Sequence, residues 1–298
     1  MSHIPARIFG SLAPALVTPF HKDGSIDVDS AVALAVRLVE DGCDSLVLSG
    51  TTGESPTTHQ PEKNELTRAI VEAIHDRARI ICGAGSNDTA HAVRIAEGAQ
   101  ESGAHGLLVV SPYYNRPSQR GLCAHVQAIA ESSDLPIMLY DIPGRTGLAF
   151  SDGTLDILAA HPRIVAVKDA TGNVEQGVER CHRTGLEYYS GDDALNFAWM
   201  TGGASGFISV VAHVAARQYR QMIDLLDADQ VWEARELSHS LRPLVAAIMG
   251  SGQGAVLIKW ALYMQGIIST PTVRLPLVEP EKEEMTRLEK VLRSYDLL

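Results

Sequence analysis

The chain has 298 residues, of which 45% are hydrophobic and 20% charged, and its formal net charge at pH 7 is −11. That size and apolar share suit a globular protein made of one large α/β barrel with an extension or of two ordinary domains. The acidic balance, with no local Lys/Arg cluster, excludes a nucleic-acid surface, so an anionic substrate must be held by a local device such as one arginine and some backbone N–H groups.

The four cysteines, Cys43, Cys82, Cys123 and Cys181, form no CxxC pair and read as free thiols of a reducing cytosol. Residues 1–10 lack the apolar core of a signal peptide, and the longest apolar stretch, 255–268, is interrupted by Lys259 and Gln265. No membrane span is expected, and a cytoplasmic location is.

Taken in order, the chain repeats one pattern: a short apolar run, a Gly/Pro/Ser/Thr loop, then an amphipathic stretch. A strand is predicted at 13–18, a turn at Lys22-Asp23-Gly24 and a helix over 29–40. A strand at 46–48 leads into Ser49-Gly50-Thr51-Thr52-Gly53-Glu54-Ser55, and a helix over 61–75 starts with Pro61, Glu62 and Glu65. Strands at 80–82, 107–110 and 137–140 follow, with helices at 89–102, up to 132, and 155–160. The remaining strands are 164–169, 186–189 and 206–210, with helices at 173–184 and about 215–226.

These are about eight strand–helix units with a period of roughly 25–30 residues, which predicts a (β/α)8 TIM barrel. A doubly wound sheet is the competitor, but no dinucleotide-binding turn is present. Beyond Asp229 only helical stretches remain, at 231–248, 253–266 and 281–295. The expected organisation is a barrel over 1–229 that carries the active site and a C-terminal helical region over 230–298.

The run Ile164-Val165-Ala166-Val167-Lys168-Asp169 reads as a buried parallel strand, apolar on both faces. Alternation puts Ile164, Ala166 and Lys168 on one face and Val165, Val167 and Asp169 on the other, so Asp169 is not the ion-pair partner of Lys168. A desolvated lysine becomes a neutral amine that attacks a ketone, and lowering its pKa from ~10.4 to ~7–8 corresponds to roughly 4 kcal/mol. The local sequence reads equally well as a snorkelling or ion-paired lysine at a strand edge. The other lysines, Lys22, Lys63, Lys259, Lys282 and Lys290, fall in loops or helix-like stretches, so Lys168 stands apart.

At the strand C-termini, where a barrel gathers its chemistry, stand Thr51, Thr52 and Glu54, then Tyr113 and Tyr114, then Tyr140, Arg145, Lys168, the Gly191 turn and Ile208-Ser209. This set suits amine-plus-carbonyl chemistry on a carboxylated substrate. Each member also has a plain alternative: a tight turn at 50–54, an interface pair at Tyr113-Tyr114, a rim hydroxyl at Tyr140, a surface charge at Arg145. The glycines of 202–206 are more simply conformational than a phosphate cradle, and Asp192-Asp193 suit a helix start better than a catalytic pair. No HExxH or similar pair suggests a metal, and none is expected.

Four motifs stand in order at compatible spacings: Gly50-Thr51-Thr52-Gly53-Glu54-Ser55, Pro112-Tyr113-Tyr114-Asn115-Arg116-Pro117, Tyr140-Asp141-Ile142-Pro143-Gly144-Arg145-Thr146-Gly147 and Val167-Lys168-Asp169-Ala170-Thr171-Gly172-Asn173. With them the chain resembles the pyruvate-dependent class I aldolase family, most closely its dipicolinate synthase branch, over nearly its whole length. The resemblance implies that Lys168 forms a Schiff base with pyruvate and that Tyr140 donates and accepts protons. It implies a relay completed by Thr51 and by Tyr114 from a neighbouring subunit, within a homo-oligomer, most simply a tetramer built from tight dimers. Thr52 and the backbone at Ile208 would hold the pyruvate carboxylate, Gly191 would line the pocket, and Arg145 would bind the carboxylate of aspartate 4-semialdehyde. No metal or organic cofactor is implied. The alternatives are a sibling lyase of sialic or 2-keto-3-deoxy sugar acids and a silent pyruvate-binding barrel.

Regulated members of that family bind lysine in a pocket that corresponds here to the region of Ser55, Pro56, Gln60, Lys63, Asn87, His91 and Tyr113. His91 supplies no negative charge for an ammonium, and Lys63 adds a like charge, so insensitivity to lysine is expected. Like charges ~5 Å apart repel by roughly 3 kcal/mol at an effective dielectric near 20.

Overall fold

The computed structural model describes residues 7–250 and 253–298. The elements run β1 (Leu12–Pro14), α1 (Val28–Glu40), β2 (Ser45–Leu48), α2 (Gln60–Ile74), β3 (Arg79–Gly83), α3 (Thr89–Glu101), β4 (Gly106–Val110) and α4 (Gln119–Glu131). Then come β5 (Ile137–Asp141), the one-turn α5 (Pro143–Thr146), α6 (Asp152–Ala159), β6 (Ile164–Asp169), α7 (Val174–Thr184), β7 (Glu187–Ser190), α8 (Asn196–Thr201), β8 (Gly206–Ser209) and α9 (Ala212–Asp227). Three helices finish the chain: α10 (Val231–Met249), α11 (Gly254–Met264) and α12 (Lys282–Ser294).

The strands pair in parallel in the order β1-β8-β7-β6-β5-β4-β3-β2. A parallel bridge between Ala15 and Val47 closes the ring, and the Leu16 N–H donates to the Val47 carbonyl at 2.9 Å. This is the (β/α)8 barrel that the alternation predicts, with helices added at its C-terminal end. Among the described residues no single helix is long and apolar enough to cross a membrane.

Local sequence explains why the helices sit where they do. In α1, Ala31, Leu34, Ala35 and Leu38 form one buried stripe at helical spacing, and the Asp27 side chain caps the start by accepting from Ser30 N. α7 starts under the Asn173 cap and stops at Gly185, whose φ of 71° suits a residue without Cβ. Along the strands, Ala13, Val47, Ile81, Leu108, Met138, Ala166, Tyr189 and Ile208 fill the lumen. Their neighbours Leu12, Leu46, Ile80, Leu107, Leu139, Val167, Tyr188 and Phe207 pack outward against the helices. Each such buried side chain is worth about 1.5–3 kcal/mol of apolar transfer.

The β6 strand departs from strict alternation. Ile137 lies opposite Ile164 but Met138 lies opposite Ala166, so one residue is extra. Ile164 consequently packs with the outer core while Val165 turns toward the lumen, the reverse of the expected faces. The expected alternation holds from Ala166 on, which keeps Lys168 inward and Asp169 outward. The first strand is also shorter than expected, and α9 begins three residues early, with non-helical backbone at Ala215.

Candidate active site

Register brings the two central side chains together. Tyr140 on β5 lies directly opposite Lys168 on β6, and Lys168 lies opposite Tyr189 on β7. The Lys168 Nζ sits 4.1 Å from the centroid of the Tyr140 ring, and each residue is 5% exposed. An amine over a phenol ring at a strand C-terminus puts a nucleophile and a group able to pass protons on adjacent strands of one site.

A cavity of about 300 Å³ opens over this pair, and Thr51, Thr52, Arg145, Gly191 and Ile208 line it together with Tyr140 and Lys168. The sequence thus brings every expected site residue to one mouth except Tyr114. Tyr114 is 91% exposed with φ 72° and is not part of this cavity's lining. Arg145 is carried on the exposed side of α5, at the rim.

Three local devices set the walls. The turn after β2 is closed by Glu54 N–H to Thr51 O at 3.1 Å and Ser55 N–H to Gly50 O at 3.2 Å, which presents Thr51 and Thr52. At Gly191 a Cβ would sit 3.1 Å from Lys168 Cε and 3.0 Å from the Asp169 carbonyl, so glycine leaves the lysine its path. After β8, buried Asp193 accepts from Ser209 Oγ, from Val210 N at 2.9 Å, and from Val211 N and Tyr219 Oη at 3.3 Å. That hub fixes the strand end at Ile208. Asp192 is an N-terminal cap, accepting from Ala194 N, so the two aspartates are structural.

The arrangement is a buried amine with a phenol ring beside it, two threonines in the same cavity lining and an exposed guanidinium at the rim. Among the described residues no group of three or more His, Cys, Asp or Glu could hold a metal ion. The family model for the dihydrodipicolinate synthetase family matches residues 8–295. The chain belongs to the dihydrodipicolinate synthetase family. A 4-hydroxy-tetrahydrodipicolinate synthase of Mycolicibacterium paratuberculosis is 48% identical over 295 residues, covering 99% of this chain and 97% of that one. A solved dihydrodipicolinate synthase from Bacillus anthracis superposes with a TM-score of 0.92 at 38% identity, covering 96% of this chain and 98% of that one. A further solved structure, described as a monomeric dihydrodipicolinate synthase variant, has a TM-score of 0.92 at 34% identity and covers 98% of both chains.

Within this dihydrodipicolinate synthetase chain, two functional features escape sequence reasoning. Lys168 is not the sole buried lysine. Lys259 on α11 is fully buried and donates to Glu54 Oε1 at 2.5 Å and to the Thr272 carbonyl at 2.9 Å, with its Nζ 4.0 Å from the Phe20 ring centroid. Burial holds it down to about 8, against the pull of Glu54. The other Glu54 oxygen accepts from Arg274 N at 2.9 Å. Glu54, itself at φ 55°, is therefore not a free carboxylate at the mouth but the tie between the Thr51–Thr52 turn and the C-terminal helices. The C-terminal region also reaches the cavity, where Met249, Gln253, Ala255 and Leu277 are part of its lining. Lys63 on α2 is 8% exposed and lines a second cavity of about 370 Å³ that shares Thr51, Tyr140 and Arg145 with the first.

Behind the reacting pair, on the outer face, Asp141 lies opposite Asp169. Burial, with Asp169 adding to it, pushes Asp141 up to about 7, although Arg180 Nη1 at 3.6 Å opposes the rise. The folded chain thus keeps a proton that the unfolded chain releases near 4. The stability this contributes is full below that pH and is lost as pH rises through about 7. An Asp141→Asn variant should exceed the parent in stability at pH 8 by about 2–4 kcal/mol, the difference vanishing below pH ~4. Denaturant melts at the two pH values check this, and an equal difference at both would contradict it.

Proposed function

We infer that the chain is a lyase of diaminopimelate and lysine biosynthesis that condenses pyruvate with aspartate 4-semialdehyde to 4-hydroxy-tetrahydrodipicolinate. The observation that carries the residue roles is the Lys168–Tyr140 pair at the floor of the cavity, 4.1 Å from amine to ring centroid. The Lys168 amine adds to the pyruvate ketone, and Tyr140 passes protons as water leaves and the imine forms. The imine then accepts electrons as the pyruvate methyl loses a proton, giving an enamine whose carbon attacks the aldehyde. The amine of the second substrate finally adds to the imine carbon, closing the ring and freeing Lys168. The lysine is its own electron sink, so the reaction calls for no cofactor.

Thr52 and the backbone at Ile208, which line the same cavity as Lys168, are proposed to hold the pyruvate carboxylate, with Gly191 leaving space. Thr51 and Tyr114 are proposed to extend the proton relay from Tyr140. The exposure of Tyr114 supports a role across a subunit boundary and hence a homo-oligomer, proposed as a dimer of dimers. Four free cysteines support a cytoplasmic setting.

Arg145 at the rim favours this substrate over the sugar acids of the sibling lyases, because a short aldehyde with one carboxylate needs one charged partner. Arg145→Ala should lower kcat/KM for aspartate semialdehyde roughly 10–100-fold, the equivalent of a lost charge-assisted contact of about 1.5–3 kcal/mol. Imine formation with pyruvate should change little. Equal loss in both half-reactions, or faster turnover of a sialic acid than of the semialdehyde, would overturn the reading.

A further inference from the structure

We propose that Ser111 and Thr146 are positioning residues for the second substrate: their hydroxyls hold the one-turn helix α5 in the orientation from which Arg145 serves the cavity. This rests on the reading of Arg145 given above and adds what aims that side chain.

Arg145 needs such a device. It is exposed, and among the described residues it makes no hydrogen bond or ion pair. Its side chain is therefore directed only by the backbone that carries it. That backbone is Pro143–Thr146, a single turn. One turn of helix is not stable by itself, because ordering its residues costs more than its few backbone bonds return. The turn must be held from outside.

Two buried hydroxyls hold it. Thr146 is 4% exposed, and Ser111, directly after β4, is fully buried. Thr146 Oγ1 lies 3.1 Å from the Ile142 carbonyl before the turn and 2.9 Å from the Leu148 carbonyl after it, and its single hydrogen goes to one of them. The same oxygen accepts from Leu148 N at 3.3 Å and from Ser111 Oγ at 3.2 Å. Ser111 Oγ is also 3.1 Å from the Leu148 carbonyl. The turn is thus fastened to the end of β4.

The chain beyond it is pinned as well. Gln119 on α4 donates Nε2 to the Ala149 carbonyl at 2.8 Å and accepts from Ser151 N at 2.9 Å, and Arg180 on α7 donates to the Phe150 carbonyl at 3.2 Å. An unpartnered arginine on a loop fixed by three elements is a preorganised mount. Of these anchors, only the Ser111–Thr146 pair touches α5. Tyr140 and Lys168 are set by strand register instead, so the pair acts on the second half-reaction and not on the first.

The test is steady-state kinetics of Thr146→Val and Ser111→Ala, alone and combined with Arg145→Ala. Thr146→Val keeps the branched shape and loses the hydroxyl, and it should lower kcat/KM for aspartate semialdehyde about tenfold or more. In the same variant kcat/KM for pyruvate and borohydride trapping at Lys168 should stay at the parental level. Thr146→Ser, which restores the hydroxyl, should recover the semialdehyde step. In the Arg145→Ala background Thr146→Val should add little, since the mount then has nothing to aim. Should Thr146→Val fail to fold, Ser111→Ala carries the same expectations. Parental semialdehyde kinetics in both variants, equal loss in both half-reactions, or a full further loss in the Arg145→Ala background would overturn the proposal. Arg145→Ala leaving the semialdehyde step intact would instead strike the reading of Arg145, and the proposal would fall with it.

Discussion

Replacing Tyr140 by phenylalanine should reduce condensation turnover by about 10²–10⁴-fold, the usual range for removing a positioned general acid–base group. The ring would remain, so the packing of the lumen and the contact with Lys168 Nζ would be largely kept. What disappears is the hydroxyl that passes protons during imine formation and release. The loss should therefore fall on kcat, with little change in the melting temperature. Tyr114→Phe should cost at least 10²-fold only if the relay crosses between chains. Sedimentation of the parent at assay concentration checks that link, since a fully active monomer would exclude a shared site. A Tyr140→Phe enzyme within a few-fold of the parent would remove this phenol from the mechanism.

The largest effect on stability is expected at Lys259. Lys259→Met would fit a methionine into the same fully buried space but would leave Glu54, 2% exposed, without its cationic partner and with only the Arg274 N–H on its other oxygen. Breaking a buried pair from one side typically costs about 3–5 kcal/mol, because the remaining charge stays desolvated. Glu54→Gln in the same chain should recover most of that loss, since neither charge then remains. Activity should follow the turn: if Glu54 swings toward solvent, Thr51 and Thr52 move with it. Denaturant unfolding of the single and double variants separates the pair from simple packing. If the double variant were as unstable as Lys259→Met alone, the contribution would lie in shape and not in charge.

The barrel was legible in the sequence because eight apolar runs recur at even spacing, most of them followed by an amphipathic stretch. The short α8 after β7 and the uncapped α9 after β8, by contrast, carry no side-chain start signal. The site was legible for the same reason, since barrel strands deliver their last residues to one mouth. Tyr140 and Lys168 are 28 residues apart, yet strand register makes them neighbours. The features that were not legible depend on longer-range geometry. A bulge between Ile164 and Ala166 leaves no mark in an all-apolar run, so strict alternation puts both Ile164 and Val165 on the wrong faces. Lys259 looked like a polar interruption on a helix, because nothing local reveals that Glu54, 205 residues away, waits at its tip. Burial of Lys63 was equally hidden, since α2 reads as an ordinary amphipathic helix with its charges outward. Tyr114 shows a different limit: a single chain leaves it in solvent, and its proposed role needs a second copy.

The most direct test of the account is reductive trapping. Incubation with pyruvate and borohydride, followed by peptide mass mapping, should place one pyruvate-derived adduct per chain on Lys168. Lys168→Arg should abolish the label while the fold persists. Buried Lys63 and Lys259, each held down to about 8, are the internal competitors, and both should remain unmodified. An adduct on either of them, or no adduct in a chain that still turns over pyruvate, would contradict the assignment of Lys168 as the imine-forming residue.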